Sequence, residues 1–113
     1  MMQASIKPYN LAVISSRRYV NGPVVFKTLN EYVAKHGVPV VVYIGAQAEG
    51  ANPFVFDWAR LNGFKYMLME STIGRIQKCQ HLIAFSFERS SGTNARLVYA
   101  QGIGIEHITV IDE

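Results

Sequence analysis

The side chains best suited to chemistry fall in three short stretches of small, polar and charged residues. They are Ser15 to Gly22, Gly45 to Asn52, and Glu88 to Thr93. The first offers hydroxyls from Ser15 and Ser16 as hydrogen-bonding groups. Beside them, Arg17 or Arg18 can grip a phosphate through two parallel N–H bonds. In the second, Gly45, Ala46 and Gly50 are small enough to let the backbone approach a ligand closely. In the third, Ser91-Gly92-Thr93 opens a run with helical spacing. The unpaired N–H groups and the dipole of a helix start favour a negative charge there. Together they point to a pocket for a phosphate or another anion.

Each feature also has a plainer reading. Thr93 or Ser91 can serve only as a helix cap, Arg17 and Arg18 as a solvated loop, and the glycines as tight turns. Trp58, Phe54 and the tyrosines fit a core or a partner surface. His36 complements a helix end, and His81 and His107 sit in or beside strands in structural roles. No HExxH, CxxC or comparable spacing occurs, which argues against a metal site, and no cofactor signature is present.

The elements that would position these loops are legible from periodicity. Leu11 to Ser15 reads as a strand. Pro23 suits a first helical turn, and Val25, Phe26, Leu29, Tyr32 and Val33 mark one apolar helical face up to Gly37. Val38 to Ile44 is almost unbroken apolar and β-branched, as in a strand covered on both sides. Asn52-Pro53 reads as N-cap and first residue of a helix lined by Phe54, Trp58 and Leu61 and stopped at Asn62-Gly63. A strand over Phe64 to Met69 follows, then a short helix over Ser71 to Gln80. Next come a strand over His81 to Phe87, a helix to about Gln101, and a last strand over Ile105 to Ile111.

Strands and helices alternate throughout, the pattern of a parallel α/β sheet with crossover helices. The expectation is a Rossmann-like three-layer sandwich, with about five parallel strands in the order 3-2-1-4-5 and helices on both faces. The whole chain, residues 1–113, forms a single domain in this reading. In such a sheet the strand order reverses between strands one and four, where ligands bind. The loops leaving those strands, with that of strand two beside them, are the three stretches named above.

Composition sets outer limits. Half of the 113 residues are hydrophobic and the formal charge is +3. That suffices for a core without staples and falls short of the dense basic stripe of a dedicated DNA binder. The lone Cys79 excludes an internal disulfide and fits a reduced, cytoplasmic protein. The N-terminus lacks the apolar run of a signal peptide, and no segment approaches the roughly 20 apolar residues of a membrane span.

Four segments carry a resemblance to a known family. Val13 to Tyr19 (VISSRRY) resembles a first strand with a Thr-Gly-Ser-Arg loop: Ser16 and Arg17 match, and Ser15 replaces the glycine. Ile44 to Ala59 resembles a His-Gly-(small)-x-x-Gly-Ala-Asp loop and its Trp-Ala helix, with Asn52 where the acid usually stands. Gly74 to Cys79 resembles an Arg-Asn-x-x-Met segment and keeps Arg75. Leu82 to Ile103 resembles a strand, a (Ser/Gly)-x-Gly-Thr turn and a helix, with Gly92 and Thr93 matching directly. These are motifs of the YspA-like, cpYpsA-related branch of the SLOG superfamily, which also holds the LOG phosphoribohydrolases and DprA.

The resemblance implies a nucleotide or nucleotide-derived ligand at the strand ends. The binding residues would be Ser15, Ser16, Arg17, Gly45, Ala46, Gly50, Asn52, Arg75, Ser91, Gly92 and Thr93. It also implies a homo-oligomer, for which the Phe54/Trp58 helix face offers an interface. LOG enzymes resemble Pro-Gly-Gly-x-Gly-Thr-x-x-Glu at the fourth motif, and alignment on Gly92-Thr93 puts Arg96 at the catalytic Glu. A cation cannot stabilise positive charge growing on a ribosyl carbon, so the chain reads as a binder without catalytic residues, for sensing or sequestration. The alternatives are a nucleoside-monophosphate phosphoribohydrolase using Glu49, Asp57 or Glu88, and a nucleic-acid-binding or host-interacting small, phage-type protein. Nucleic acid is the less favoured partner.

Overall fold

The structure is a computed structural model describing residues 7–88 and 90–113, so Arg89 and the residues before Lys7 lie outside it. Nine elements alternate: β1 (Asn10–Ser15), α1 (Gly22–His36), β2 (Val41–Gly45), α2 (Asn52–Leu61), β3 (Tyr66–Met69), α3 (Thr72–Lys78), β4 (His81–Ser86), α4 (Ser91–Gly102) and β5 (His107–Asp112). The strands form one sheet in the order β3-β2-β1-β4-β5. Every pairing is parallel. This is the Rossmann-like order expected from the alternation.

Burial follows the patterning. The central strands β1, β2 and β4 carry side chains buried on both faces, as their continuous apolar runs require. One core cluster lies under α1 and α2 and includes Leu11, Val13, Leu29, Ile44, Trp58 and Phe85. The other lies under α3 and α4 and includes Ala12, Ile14, Ile76, Leu82 and Leu97. Cys79 is buried, and that burial pushes its thiol up to about 11. Among the described residues, no helix is long and apolar enough to cross a membrane.

Several element ends differ from the sequence reading. β2 starts at Val41 because Pro39 has no amide hydrogen to give to a ladder, while the Val40 amide reaches the Tyr9 carbonyl at 2.8 Å. β3 starts at Tyr66 because the Phe64 amide bonds back to Ala59 (2.9 Å) at the end of α2. β5 starts at His107 because the Ile105 amide bonds back to Ala100 at 3.1 Å. β4 stops at Ser86, since the next amide, that of Phe87, turns to the Ser16 hydroxyl at 3.2 Å.

Caps and faces also need correction. Ser90 caps α4, rather than Ser91 or Thr93: its hydroxyl accepts from the Thr93 amide at 3.3 Å. Ala51 occupies the cap position of α2, with Asn52 as the first helical residue. Leu61 faces solvent, because the buried stripe of α2 runs through Val55, Trp58 and Ala59. Trp58 is fully buried and its indole N–H donates to Asn30 Oδ1 at 2.8 Å, so it is unavailable to a partner chain.

Candidate functional site

The ends of β1 and β4 lie side by side, with Ser15 paired to Phe85. The loops that leave them must therefore meet, and the β2 loop meets them from the other side. A crevice of about 690 Å³ opens between the three. Its walls come from Ser15 to Arg18, from Gln47 and Glu49, and from the start of α4 at Ser90, Gly92, Thr93 and Arg96, with Thr72 contributed by α3. The volume suits a ligand of nucleotide size.

Hydroxyls bind the first and third loops together. Ser16 Oγ lies 3.1 Å from Ser90 Oγ and 3.0 Å from Thr93 Oγ1, and the Ser90 hydroxyl donates to Thr93 Oγ1 at 2.8 Å. Ser16 and Thr93 are both buried. The Ser15 hydroxyl donates to the Ser16 carbonyl at 2.8 Å and accepts from the Ala51 amide at 2.8 Å, which ties in the second loop. The Ser15 and Ser16 hydroxyls, expected from sequence to meet a ligand, are thus engaged in holding the loops to one another.

Gly50 has a backbone role. Its φ is 60°, a left-handed conformation, and a Cβ there would stand 2.3 Å from the Ser16 carbonyl oxygen. Only glycine lets the β2 loop lie this close to the β1 loop.

Gly45, Ala46, Asn52 and Arg75 line a smaller neighbouring cavity of about 60 Å³, which shares Ser15, Gln47, Glu49 and Thr72 with the crevice. Arg75 is buried, with Nη1 donating to the Met69 carbonyl at 2.5 Å and Nη2 to Thr72 Oγ1 at 3.3 Å. Its Nε, a donor, and Asn52 Oδ1, an acceptor, are buried without partners among the described residues. Burial, and then the charge of Arg96, lowers the Arg75 pKa. A guanidinium does not give up its proton in proteins. Its positive charge is therefore met here by neutral oxygens.

At the mouth, Arg17, Arg18 and Arg96 outnumber Glu49 and Glu88. Arg17 Nε lies 3.6 Å from Glu49 and Arg18 lies 3.9 Å from Glu88 while covering the Phe87 ring. Both arginines are largely exposed, so these pairs are weak and can be exchanged for a ligand's charge. Arg96, by contrast, has no ion-pair partner among the described residues and faces the crevice. At the start of α4, the amides of Ser91 and Gly92 belong to the first turn, where no carbonyl of the helix can accept them.

Of the residues named from sequence, Ser15, Ser16, Arg17, Gly92 and Thr93 line the crevice, and Gly45, Ala46, Asn52 and Arg75 the smaller cavity. Gly50 and Ser91 line neither. Arg18, Gln47, Thr72 and Arg96 are among the other residues of the crevice wall. Gln47 and Thr72 were missed because nothing in their local spacing distinguishes them from ordinary loop and helix-start residues.

Fold and crevice together define a Rossmann-like α/β domain with a basic mouth at the carboxyl ends of its strands. No protein-family model matches the chain, and neither a curated protein nor a solved structure does.

Proposed function

We propose that the protein binds a nucleotide or nucleotide-derived ligand at the carboxyl edge of the sheet, as a sensor or sequestering protein and without turnover. The observation that carries this reading is Arg96 on the crevice wall beside the first turn of α4. An arginine there attracts the phosphate of a ligand and cannot do the work of a catalytic carboxylate. The resemblance to the YspA-like branch of the SLOG superfamily supports the same ligand class. Glu49 and Glu88 line the mouth but stand beside Arg17 and Arg18, and Asp57 is not among the lining residues. That weakens the phosphoribohydrolase alternative.

Calorimetric titration with AMP, ADP-ribose and inorganic phosphate tests the proposal. Binding of a nucleotide is expected, and Arg96→Glu is expected to weaken it at least ~10-fold, the loss of one charge-assisted contact. No heat at millimolar ligand would overturn it. Release of free base from AMP or CMP over hours would overturn the absence of turnover.

The partner that accompanies this reading is a second copy of the chain, docked through β3. This edge strand exposes Tyr66, Met67 and Leu68. Lys65 and Glu70 flank it. Antiparallel pairing about a twofold axis at Leu68 sets Leu68 of one copy against Leu68 of the other and Met67 against Met69, an apolar seam that a lysine at 68 would load with two facing like charges. Light scattering after size exclusion is expected to give a dimer that Leu68→Lys converts to a monomer. A wild-type monomer at ~100 μM, a concentration at which an interface of micromolar affinity is saturated, contradicts it.

A further inference from the structure

At the opposite edge of the sheet, all three histidines of the chain converge. His81 is the first residue of β4 and His107 the first of β5, and the parallel register pairs them directly. Side chains paired across adjacent strands lie on the same face, so the two imidazoles stand next to each other, with ring centroids 4.4 Å apart. His36, the last residue of α1, brings its ring to 5.2 Å from His81 and 5.4 Å from His107. Glu106 precedes β5 and points its carboxylate at the same spot. Its Oε1 is 3.3 Å from His107 Nε2 and 3.9 Å from His81 Nε2.

We propose that His81 Nε2, His107 Nε2 and the Glu106 carboxylate bind one divalent transition-metal ion of the zinc type, with His36 the adjoining imidazole.

The three ligand atoms all lie within 4.8 Å of one another. Ligands on tetrahedral zinc, each about 2.0–2.2 Å from the ion, stand roughly 3.3–3.5 Å apart. One pair is already at that separation, and the others close with small side-chain rotations. The donor set, imidazole nitrogens with one carboxylate oxygen, favours zinc, nickel or cobalt over magnesium or calcium.

Outer contacts point each ligand. Tyr32 Oη is 2.7 Å from His81 Nδ1, which leaves Nε2 as the atom facing Glu106 and His107. A metal-bound histidine is commonly oriented by a hydrogen bond at its other ring nitrogen. The Tyr9 ring stacks on His81, 4.0 Å away at 18°, and its hydroxyl donates to the Gly37 carbonyl at 2.6 Å. His81 is thereby fixed in place before any ion arrives. Lys7 lies 3.8 Å from Glu106 Oε2, the oxygen not turned toward the histidines.

The site lies at the amino ends of the strands, away from the crevice, and stands independently of the nucleotide proposal. The test uses the full, untagged chain stripped of metal at pH 7.5. Zinc is expected to bind one ion per chain by calorimetry and to raise the melting temperature as its concentration rises, with magnesium doing neither. Cobalt(II) is expected to give the visible absorption of a low-symmetry site. His107→Ala and Glu106→Gln are each expected to weaken zinc at least ~10-fold. Both side chains are about half exposed, so these substitutions leave the packed core intact. Absence of zinc binding to the wild-type chain overturns the proposal, as does zinc binding that both variants retain in full, or equal binding of magnesium.

Discussion

Trp58→Ala is expected to lower stability by about 3–5 kcal/mol, the usual cost of emptying a large aromatic site in a core that cannot collapse. Trp58 is wholly buried beneath α2 and packs edge-to-face on Phe64 at 5.1 Å. Its indole N–H is satisfied by Asn30, which is itself exposed, so water replaces the lost partner and the cost is mainly one of volume. In a domain of this size the melting temperature should fall by about 10–20 °C. Trp58→Phe refills most of the space and is expected to cost roughly 1–2 kcal/mol, from a smaller void and one hydrogen bond. Urea titrations of the three proteins check the ranking. A Trp58→Ala protein as stable as wild type would mean that this residue is not part of the packed interior.

Gly50→Ala is expected to cost about 2–4 kcal/mol, by adding left-handed backbone strain to a steric conflict. The new Cβ would stand 2.3 Å from the Ser16 carbonyl oxygen and 2.6 Å from Ser15 Oγ. Neither neighbour can retreat easily. The Ser16 amide is bonded to Phe85 at 2.8 Å, and the Ser15 hydroxyl is bonded at both ends. The conflict must therefore push the β2 loop away from the crevice, so nucleotide affinity should fall along with stability. Gly50→Asn separates the two causes. Asn tolerates a positive φ better than Ala but carries the same Cβ, so equal losses for both variants assign the cost to space. Denaturant midpoints and the calorimetric titration, run on both variants, measure the two effects. A Gly50→Ala protein with unchanged midpoint and affinity would show that the loops are not held this closely.

The sheet was legible because its signal is redundant. Four crossover helices between apolar runs permit few arrangements, and the runs Leu11 to Ser15 and Val38 to Ile44 are too uniformly apolar to be edge strands. Element ends were less legible, because single hydrogen bonds set them. The Ile105 and Phe64 amides bond backwards to helix ends, and no periodicity reports that. The convergence of the loops followed from topology, since parallel strands ending together bring their loops together. The division of labour within the crevice did not. Ser15 and Ser16 look like ligand-binding hydroxyls in a string of letters, and only distances reveal them as ties between loops. Arg75 was legible only through the family resemblance, and its burial depends on how α3 packs. The meeting of His36, His81 and His107, each read from sequence as structural, was not foreseen for a related reason. Spacing rules find ligands that share an element, whereas these side chains come from a helix end and the starts of two strands.

The ring of hydroxyls from Ser16, Ser90 and Thr93 has a kinetic consequence. It joins residues more than seventy positions apart in the chain, so the entropy of gathering the walls is spent once, during folding. The anionic ligand we propose would not need to wait for loops to assemble. Its association is governed by encounter, quickened by the surrounding arginines, and preference among similar molecules is written in how long each one stays.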